Sequence, residues 1–123
     1  MPRILIADDN PRVRRYVHEV LEDEGGWEVC GEAGTGREAV GMTLALKPDI
    51  VVLDLSMPEL NGLQAAQETH RAFPGIEILI LSMHDVPELI DAALASGVRA
   101  FLMKHDLDGL LDAVRSALQD PVP

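Results

Sequence analysis

Basic residues are scarce in this sequence. Ten lysines and arginines stand against 21 aspartates and glutamates, which gives a formal net charge of −11 at pH 7. Basic charge supplies most of the affinity of proteins for nucleic acids and anionic lipids. The composition therefore excludes both as direct ligands of this chain. Divalent cations and basic partners are the ligands that such a surface attracts.

Cysteine and long apolar runs are also scarce. Cys30 is the only cysteine, so no disulfide can form within the chain, as is typical of a reducing compartment. Its place in an alternating segment favours a packing role over a redox role. No apolar run approaches the roughly 18 residues of a membrane-spanning helix. In the N-terminal segment MPRILIADD, too few apolar residues precede the charged ones for a signal peptide. We expect a soluble cytoplasmic protein.

Short apolar segments alternate with amphipathic ones along the 123 residues, a length typical of one domain. RILIA and DIVVLDL lack polar alternation, which favours strands buried on both faces, and Asn10 followed by Pro11 is a typical helix start. Strands are predicted at 3–7, 27–33, 49–55, 76–82 and 98–104, and helices at 11–24, 36–47, 63–73, 85–96 and 106–119. The alternation predicts an α/β fold with right-handed crossovers and a parallel sheet of five strands. We expect a doubly wound sheet in the flavodoxin-like order 2-1-3-4-5, in which the first and third strands are neighbours.

The helical pattern stops before the last four residues. Leu118 is the last apolar residue with helical spacing, and Pro121 and Pro123 cannot continue a helix. We therefore expect one domain over 1–119. Residues 120–123 are expected to begin a linker to a C-terminal output domain outside this chain.

Polar side chains follow four of the five predicted strands. Asp8 and Asp9 follow the first strand, Asp54 ends the third, Ser82 the fourth and Lys104 the fifth. Each residue alone is common in a turn, a helix cap or an exposed surface. In this fold, however, ligands bind beyond the carboxyl ends of the strands, where the strand order reverses. The joint pattern therefore indicates a functional site.

Three carboxylates in one pocket need a cation. Without one they would repel each other strongly, and Mg²⁺, with Mn²⁺ as an alternative, prefers carboxylate oxygens and accepts phosphate oxygens beside them. Asp54 is then free to attack phosphorus and form an acyl phosphate. The metal and Lys104 would neutralise the transferred group, and Ser82 could donate a hydrogen bond to it. The residues thus predict phosphoryl transfer.

Four segments carry a resemblance to a known family. ADDN (7–10), LDLSMPELNG (53–62), LSMH (81–84) and FLMK (101–104) resemble, in this order and at these spacings, the receiver domains of two-component response regulators. The similarity covers nearly the whole chain. Residues 81–104 resemble the NarL/LuxR-type subfamily, whose members usually carry a C-terminal helix-turn-helix domain.

The resemblance implies a role for each matching residue. In this family an aspartate accepts a phosphoryl group from a sensor histidine kinase, with magnesium, and the face formed by the fourth helix, fifth strand and fifth helix then changes conformation. The implied roles are phosphoacceptor for Asp54; metal ligand for Asp8, Asp9, Asp54 and the backbone carbonyl of Ser56; phosphoryl contact for Lys104 and Ser82; conformational switch for Ser82 and Phe101; and tuning of the phosphoryl lifetime for Ser56 and His84.

The resemblance also implies partners. These are a sensor histidine kinase, a C-terminal DNA-binding domain that regulates transcription, and a second copy in a homodimer promoted by phosphorylation. Turnover of an external substrate, direct nucleic-acid binding by this domain and membrane binding are not expected. The alternative is a stand-alone receiver that acts by docking on a partner protein.

Three other functions fit parts of the pattern. A phosphatase of the haloacid dehalogenase type needs a second aspartate two residues after the nucleophile, where this chain has Ser56. A flavodoxin would have a phosphate loop rich in Ser, Thr and Gly, whereas ADDNP repels phosphate unless a metal intervenes. A receiver that only binds partners would not need the complete set of carboxylates, hydroxyl and lysine.

Several further positions carry expectations of their own. Many receivers have a proline in a cis bond after the lysine, whereas this chain has His105, and a cis bond before a non-proline residue costs about 2.5–4 kcal/mol. The resemblance therefore leaves the conformation of the Lys104–His105 bond open. His18 and His70 lie on predicted helices and are expected to be solvated. Gly62 is expected to relieve backbone strain in the loop before its helix.

Overall fold

The computed structural model describes residues 1–119, so the predicted linker at 120–123 lies outside the described residues. Strands and helices alternate as predicted, and their ends differ from the prediction by one or two residues. The strands are β1 (Arg3–Ala7), β2 (Glu28–Ala33), β3 (Ile50–Asp54), β4 (Glu77–Ser82) and β5 (Ala100–Met103). The helices are α1 (Pro11–Asp23), α2 (Gly36–Leu46), α3 (Gly62–Ala72), α4 (Pro87–Ala95) and α5 (Leu107–Gln119).

The five strands form one parallel sheet in the order β2-β1-β3-β4-β5, which confirms the predicted fold class and topology. The sheet order reverses between β1 and β3, which are direct neighbours although α1, β2 and α2 separate them in the chain. Their register pairs Ala7 with Leu53. The residues that follow this pair, Asp8 and Asp54, therefore lie side by side at the carboxyl edge of the sheet.

The core has two layers because residues of a strand alternate between the two faces of the sheet. One layer holds Leu5, Leu53 and Ile80 against α2, α3 and α4. The other holds Ile6 and Leu79 against α1 and α5. All residues of β3 and β4 are buried, as the absence of polar alternation predicts for strands covered on both faces.

Local signals set the helix ends. The side chain of Asn10 accepts hydrogen bonds from the amides of Arg12 and Val13 at 3.0 and 3.4 Å, which confirms the predicted cap of α1. Helix α4 differs, because Val86 at its N-terminal cap position makes no side-chain hydrogen bond to the helix. Among the residues of α4 only Ala93 is buried, the smallest number of buried residues in any of the five described helices.

The predictions for two histidines are wrong. His18 is half-buried, with its ring nitrogens 2.5 Å from a carboxylate oxygen of Glu32 and 3.2 Å from one of Glu22. His70 packs on Gly97 between α3 and α4, where a Cβ atom on that glycine would lie 2.7 Å from the ring. Helical periodicity does not reveal the contacts with Glu32 and Gly97, because these residues lie outside the helices that carry the histidines, whereas the contact between His18 and Glu22 lies within α1.

The backbone settles the remaining expectation on local geometry. No cis peptide bond occurs among residues 1–119, so the bond between Lys104 and His105 is trans. None of the helices in this part of the chain has the length and apolar character that a bilayer crossing requires.

Candidate functional site

Three carboxylates meet at the carboxyl ends of β1 and β3. One oxygen from each of Asp8, Asp9 and Asp54 lies within 4.8 Å of the others. Asp8 and Asp54 are buried, with 3% of each residue exposed, whereas Asp9 is exposed. The cluster arises because the crossover through α1, β2 and α2 makes β1 and β3 neighbours, as the sheet order predicts.

Lys104 reaches this acidic cluster from the end of β5. Its Nζ lies 2.9 Å from Oδ2 of Asp8 and 3.2 Å from Oδ2 of Asp54. Its backbone amide donates to the carbonyl of Ser82, which fixes the start of the side chain beside β4. Burial alone would lower the pKa of Lys104, but its hydrogen bond to Asp8 and its attraction to Asp54 outweigh burial and raise that pKa. The side chain is therefore a fixed positive charge between two carboxylates.

One ammonium does not neutralise three carboxylates, and the excess negative charge acts on Asp54. Burial of its carboxyl and repulsion from Asp8 raise the pKa of Asp54 to about 6, while Lys104 opposes them. The amide of Ser56 also donates to Oδ1 of Asp54 at 3.2 Å and favours the ionised form. A further cation at the site would relieve the remaining repulsion.

The donor set fits a hard divalent cation. It consists of carboxylate oxygens held close together, which suits magnesium or manganese better than soft metals. Asp8 is held in place, since its Oδ1 accepts from the amide of Asn10 at 2.8 Å and its own amide donates to the carbonyl of Ala33 at 3.0 Å. The loop that contains Ser56 adjoins Asp54, and the metal role of its carbonyl stays a prediction.

The loop after Asp54 has an unusual backbone that brings it close to the strand end. Glu59 has a φ of 69°, in the left-handed region that most side chains avoid. A Cβ atom on Gly62 would lie 2.2 Å from the carbonyl oxygen of Asp54. The expectation for Gly62 needs a correction: close approach requires the glycine, while the strained φ belongs to Glu59.

The hydroxyl of Ser82 is engaged elsewhere in this structure. It is buried, donates to the carbonyl of His84 at 2.8 Å and accepts from the amide of His84 at 3.0 Å. A hydroxyl has one proton to donate, so Ser82 donates to its own turn and not to the acidic cluster. His84 itself is exposed. Phe101 is half-buried against the core layer under α2, α3 and α4.

A shallow cavity of about 610 Å³ opens beside Asp9. Its floor is formed by the loop after β3, and Leu89 of α4 contributes to one wall. The lining residues are Asp9, Leu55, Ser56, Met57, Pro58, Asn61, Leu63 and Leu89. Of the three carboxylates, Asp9 is the one that lines this cavity.

Sequence reasoning missed one contact with the site. Arg14 on α1 donates from Nη1 to the backbone carbonyl of Asp8 at 2.8 Å. Three arginines lie close together at 12, 14 and 15, and the sequence alone does not show which of them turns inward. Its position one turn after the cap residue Asn10 was the available signal.

Comparison with known proteins places these observations in a family. The profile of the response regulator receiver domain family matches residues 4–115. The chain is similar to the transcriptional regulatory protein YxjL of Bacillus subtilis, with 34% identity over 116 residues that cover 94% of this chain and 53% of that protein. It is also similar to the chemotaxis protein CheY of Thermotoga maritima, with 37% identity over 102 residues that cover 83% of this chain and 84% of that protein.

Solved structures agree with the sequence comparisons. The crystal structure of a LuxR-family two-component response regulator from Aurantimonas sp. SI85-9A1 has a TM-score of 0.90 and 30% identity, covering 95% of this chain and 84% of that one. The chain spans about half the length of curated transcriptional regulators such as YxjL.

Proposed function

Because the chain belongs to the response regulator receiver domain family of two-component systems, we propose that it is a phosphorylation-dependent switch whose phosphoacceptor is Asp54. The observation that carries the proposal is the position of Lys104, which bridges Asp8 and Asp54 at 2.9 and 3.2 Å. A buried lysine between two carboxylates is suited to receive a phosphoryl group formed on one of them, because the ammonium can follow the charge onto the new oxygens.

The proposed reaction begins with the ionised carboxylate of Asp54. One of its oxygens attacks phosphorus of the phosphorylated kinase histidine, the P–N bond breaks, and an acyl phosphate remains on Asp54. Lys104 then pairs with the phosphoryl oxygens. Mg²⁺ or Mn²⁺ would be held by Asp8, Asp9, Asp54 and the carbonyl of Ser56, and when bound it supplies positive charge at the transferring group.

We propose that Ser82 and Phe101 pass the signal to the face formed by α4, β5 and α5. A phosphoryl group on Asp54 offers new acceptors, for which the hydroxyl of Ser82 would leave the carbonyl of His84. That exchange opens the turn before α4. The light packing of α4 and its missing cap favour movement there, and Phe101 on neighbouring β5 could then turn inward.

We further propose that the output is control of an attached DNA-binding domain. Support comes from the relatives, several of which are transcriptional regulators about twice as long as this chain. Phosphorylation would act by releasing that domain or by promoting a homodimer. The alternative is a receiver that docks on a separate partner protein. A DNA-binding segment in the reading frame beyond residue 123 would distinguish the two.

Intact-mass measurement tests the phosphoacceptor. Incubation with acetyl phosphate and Mg²⁺ should add one base-labile phosphoryl group to the wild-type chain and none to Asp54→Asn. Chelation of the metal should slow the wild-type reaction. Asp91→Asn, an exposed carboxylate on α4, is the matched control and should label normally. Equal labelling of Asp54→Asn and wild type would overturn the assignment.

A further inference from the structure

Arg14 connects the acidic cluster to the second strand. Its side chain is about four-fifths buried, with 21% exposed. Nη1 donates to the carbonyl oxygen of Asp8 at 2.8 Å, and Nε donates to Oε1 of Glu32 on β2 at 3.0 Å. An ideal Cβ on Gly34 would lie 3.5 Å from Nη1, so the guanidinium fits closely between the loop after β2 and the loop after β1.

Glu32 is itself held in place, which makes it a firm anchor for Arg14. Its other oxygen lies 2.5 Å from Nδ1 of His18, and Nε2 of that histidine lies 3.2 Å from Glu22. Glu22 in turn accepts from the amide of Val29. Burial alone would raise the pKa of Glu32, but the hydrogen bonds from His18 and Arg14 lower it, so the carboxylate stays charged.

The carbonyl that Arg14 holds belongs to the peptide bond between Asp8 and Asp9. Because that peptide is planar, the direction of its carbonyl sets the plane from which the side chain of Asp9 leaves the backbone. The remaining groups of Asp8 are held by other partners: its amide by Ala33, and its carboxylate by Asn10 and Lys104. The exposed carboxylate of Asp9 makes none of these contacts, so the backbone is what sets the point from which this side chain starts.

We propose that Arg14 is a positioning residue that aims the Asp8–Asp9 pair at the divalent cation. The inference rests on the proposed function, since it assumes that the pair binds metal. Outer groups that orient metal ligands typically change metal affinity 10- to 100-fold when they are removed. Arg14 acts through its two-pronged geometry, not through its charge.

Charge and geometry predict opposite results, which makes the inference testable. Removing a cation beside an acidic site strengthens attraction for Mg²⁺ if charge alone matters. Removing a positioning group weakens Mg²⁺ binding. Arg14→Met keeps the apolar stem without the guanidinium, and Arg14→Lys keeps the charge without the planar fork.

The experiment is a Mg²⁺ titration of the full chain by isothermal titration calorimetry, with thermal unfolding in EDTA to compare metal-free stability. We expect about 10-fold weaker binding for Arg14→Met and an intermediate loss for Arg14→Lys. Arg15→Met is the matched control, because Arg15 lies on the same helix, 4.0 Å from Glu32, but 66% of its side chain is exposed. It should bind Mg²⁺ as wild type does or slightly more tightly.

Equal or tighter binding by Arg14→Met would overturn the inference while leaving the proposed function intact. If Arg14→Met does not fold, Arg14→Lys decides, because a charge-only role predicts wild-type affinity for it. A wild-type chain that binds no Mg²⁺ would overturn the proposed function and the inference with it.

Discussion

At the scale of single residues, the surroundings of Asp54 disfavour its ionised form. Its carboxyl is buried beside Asp8, and these two effects raise its pKa to about 6. Lys104 and the amide of Ser56 oppose the shift. The same crowding that disfavours the free carboxylate favours any added cation. Metal dependence of the proposed reaction therefore follows from the charges around one side chain.

Asp54→Asn should stabilise the metal-free protein in a pH-dependent manner. The folded-state pKa of about 6 lies above the ordinary 3.8, so ionisation of Asp54 costs stability as the pH rises from about 4 through 6. Below about pH 4 the wild-type carboxyl is protonated and the cost is absent. We expect the free energy of unfolding of Asp54→Asn to exceed that of wild type by about 1–3 kcal/mol at pH 7.5.

Urea denaturation in EDTA at several pH values measures this difference. The gap should close toward pH 4 and level off above about pH 7. Asp91→Asn, at an exposed position of α4, controls for the loss of a carboxylate that is not part of the cluster. A gap that stays constant from pH 4 to pH 8 would show that ionisation of Asp54 costs the fold nothing.

At the scale of elements, the turn between β4 and α4 is the connection between the site and a lightly held helix. Two hydrogen bonds of 2.8 and 3.0 Å tie the hydroxyl of Ser82 to His84. The helix that follows has a single buried residue, Ala93, and no side-chain cap. Elements with few buried contacts open at low free-energy cost, so we expect a change in the turn to move α4.

Ser82→Ala should abolish the conformational coupling between the carboxylate site and α4. Beryllofluoride with Mg²⁺ mimics a phosphoryl group on the proposed acceptor, and in wild type we expect amide chemical-shift changes to extend from Asp54 into α4 and β5. Without the hydroxyl, the changes should stay within the loops around Asp8 and Asp54. The measurement is a pair of heteronuclear NMR spectra for each variant, with and without the mimic.

Thr43→Val provides the control for loss of a buried hydroxyl. Thr43 lies on α2, outside the turn at Ser82, and donates to the carbonyl of Ala39 at 2.7 Å. For this variant, the chemical-shift changes caused by beryllofluoride should extend into α4 and β5 as in wild type. If the chemical-shift changes in Ser82→Ala also extend into α4 and β5, Ser82 does not transmit the change from Asp54 to that face.

At the scale of the whole molecule, the negative net charge disfavours binding of this chain to DNA. A formal charge of −11 repels phosphates, and a phosphoryl group on Asp54 would make the chain more acidic. Lysine and arginine contacts to the phosphate backbone supply most non-specific affinity for DNA. If the output is transcriptional, a separate basic domain must make the DNA contacts.

The 123-residue chain should therefore show no DNA binding that survives physiological salt, whether or not it is phosphorylated. Fluorescence anisotropy of a labelled duplex, titrated with the chain in 0.15 M salt, checks this, with a basic DNA-binding domain as the positive control. Saturable binding by the isolated chain would contradict the proposed division between receiver and output domain.

Much of the molecule follows from the sequence by itself. Helices and strands were predictable because burial imposes a period on each, and their alternation indicates a parallel sheet. The order β2-β1-β3-β4-β5 was expected from the flavodoxin-like pattern of such sheets. Asp8, Asp54 and Lys104 could be placed together in advance, because parallel strands deliver their carboxyl ends to one edge. These predictions depend on backbone geometry, which a short stretch of sequence determines locally.

Tertiary structure alone decided which polar atoms pair. It directed the hydroxyl of Ser82 to His84, buried His18 beside Glu32, and turned Arg14 inward to the carbonyl of Asp8. Some of these pairs lie within one turn, as Ser82 and His84 do, and others join separate elements, as His18 and Glu32 do. Each depends on a rotamer and on distances of a few ångströms. Hydrophobic periodicity specifies neither rotamers nor distances of this size, so these contacts are determined only when the helices pack on the sheet.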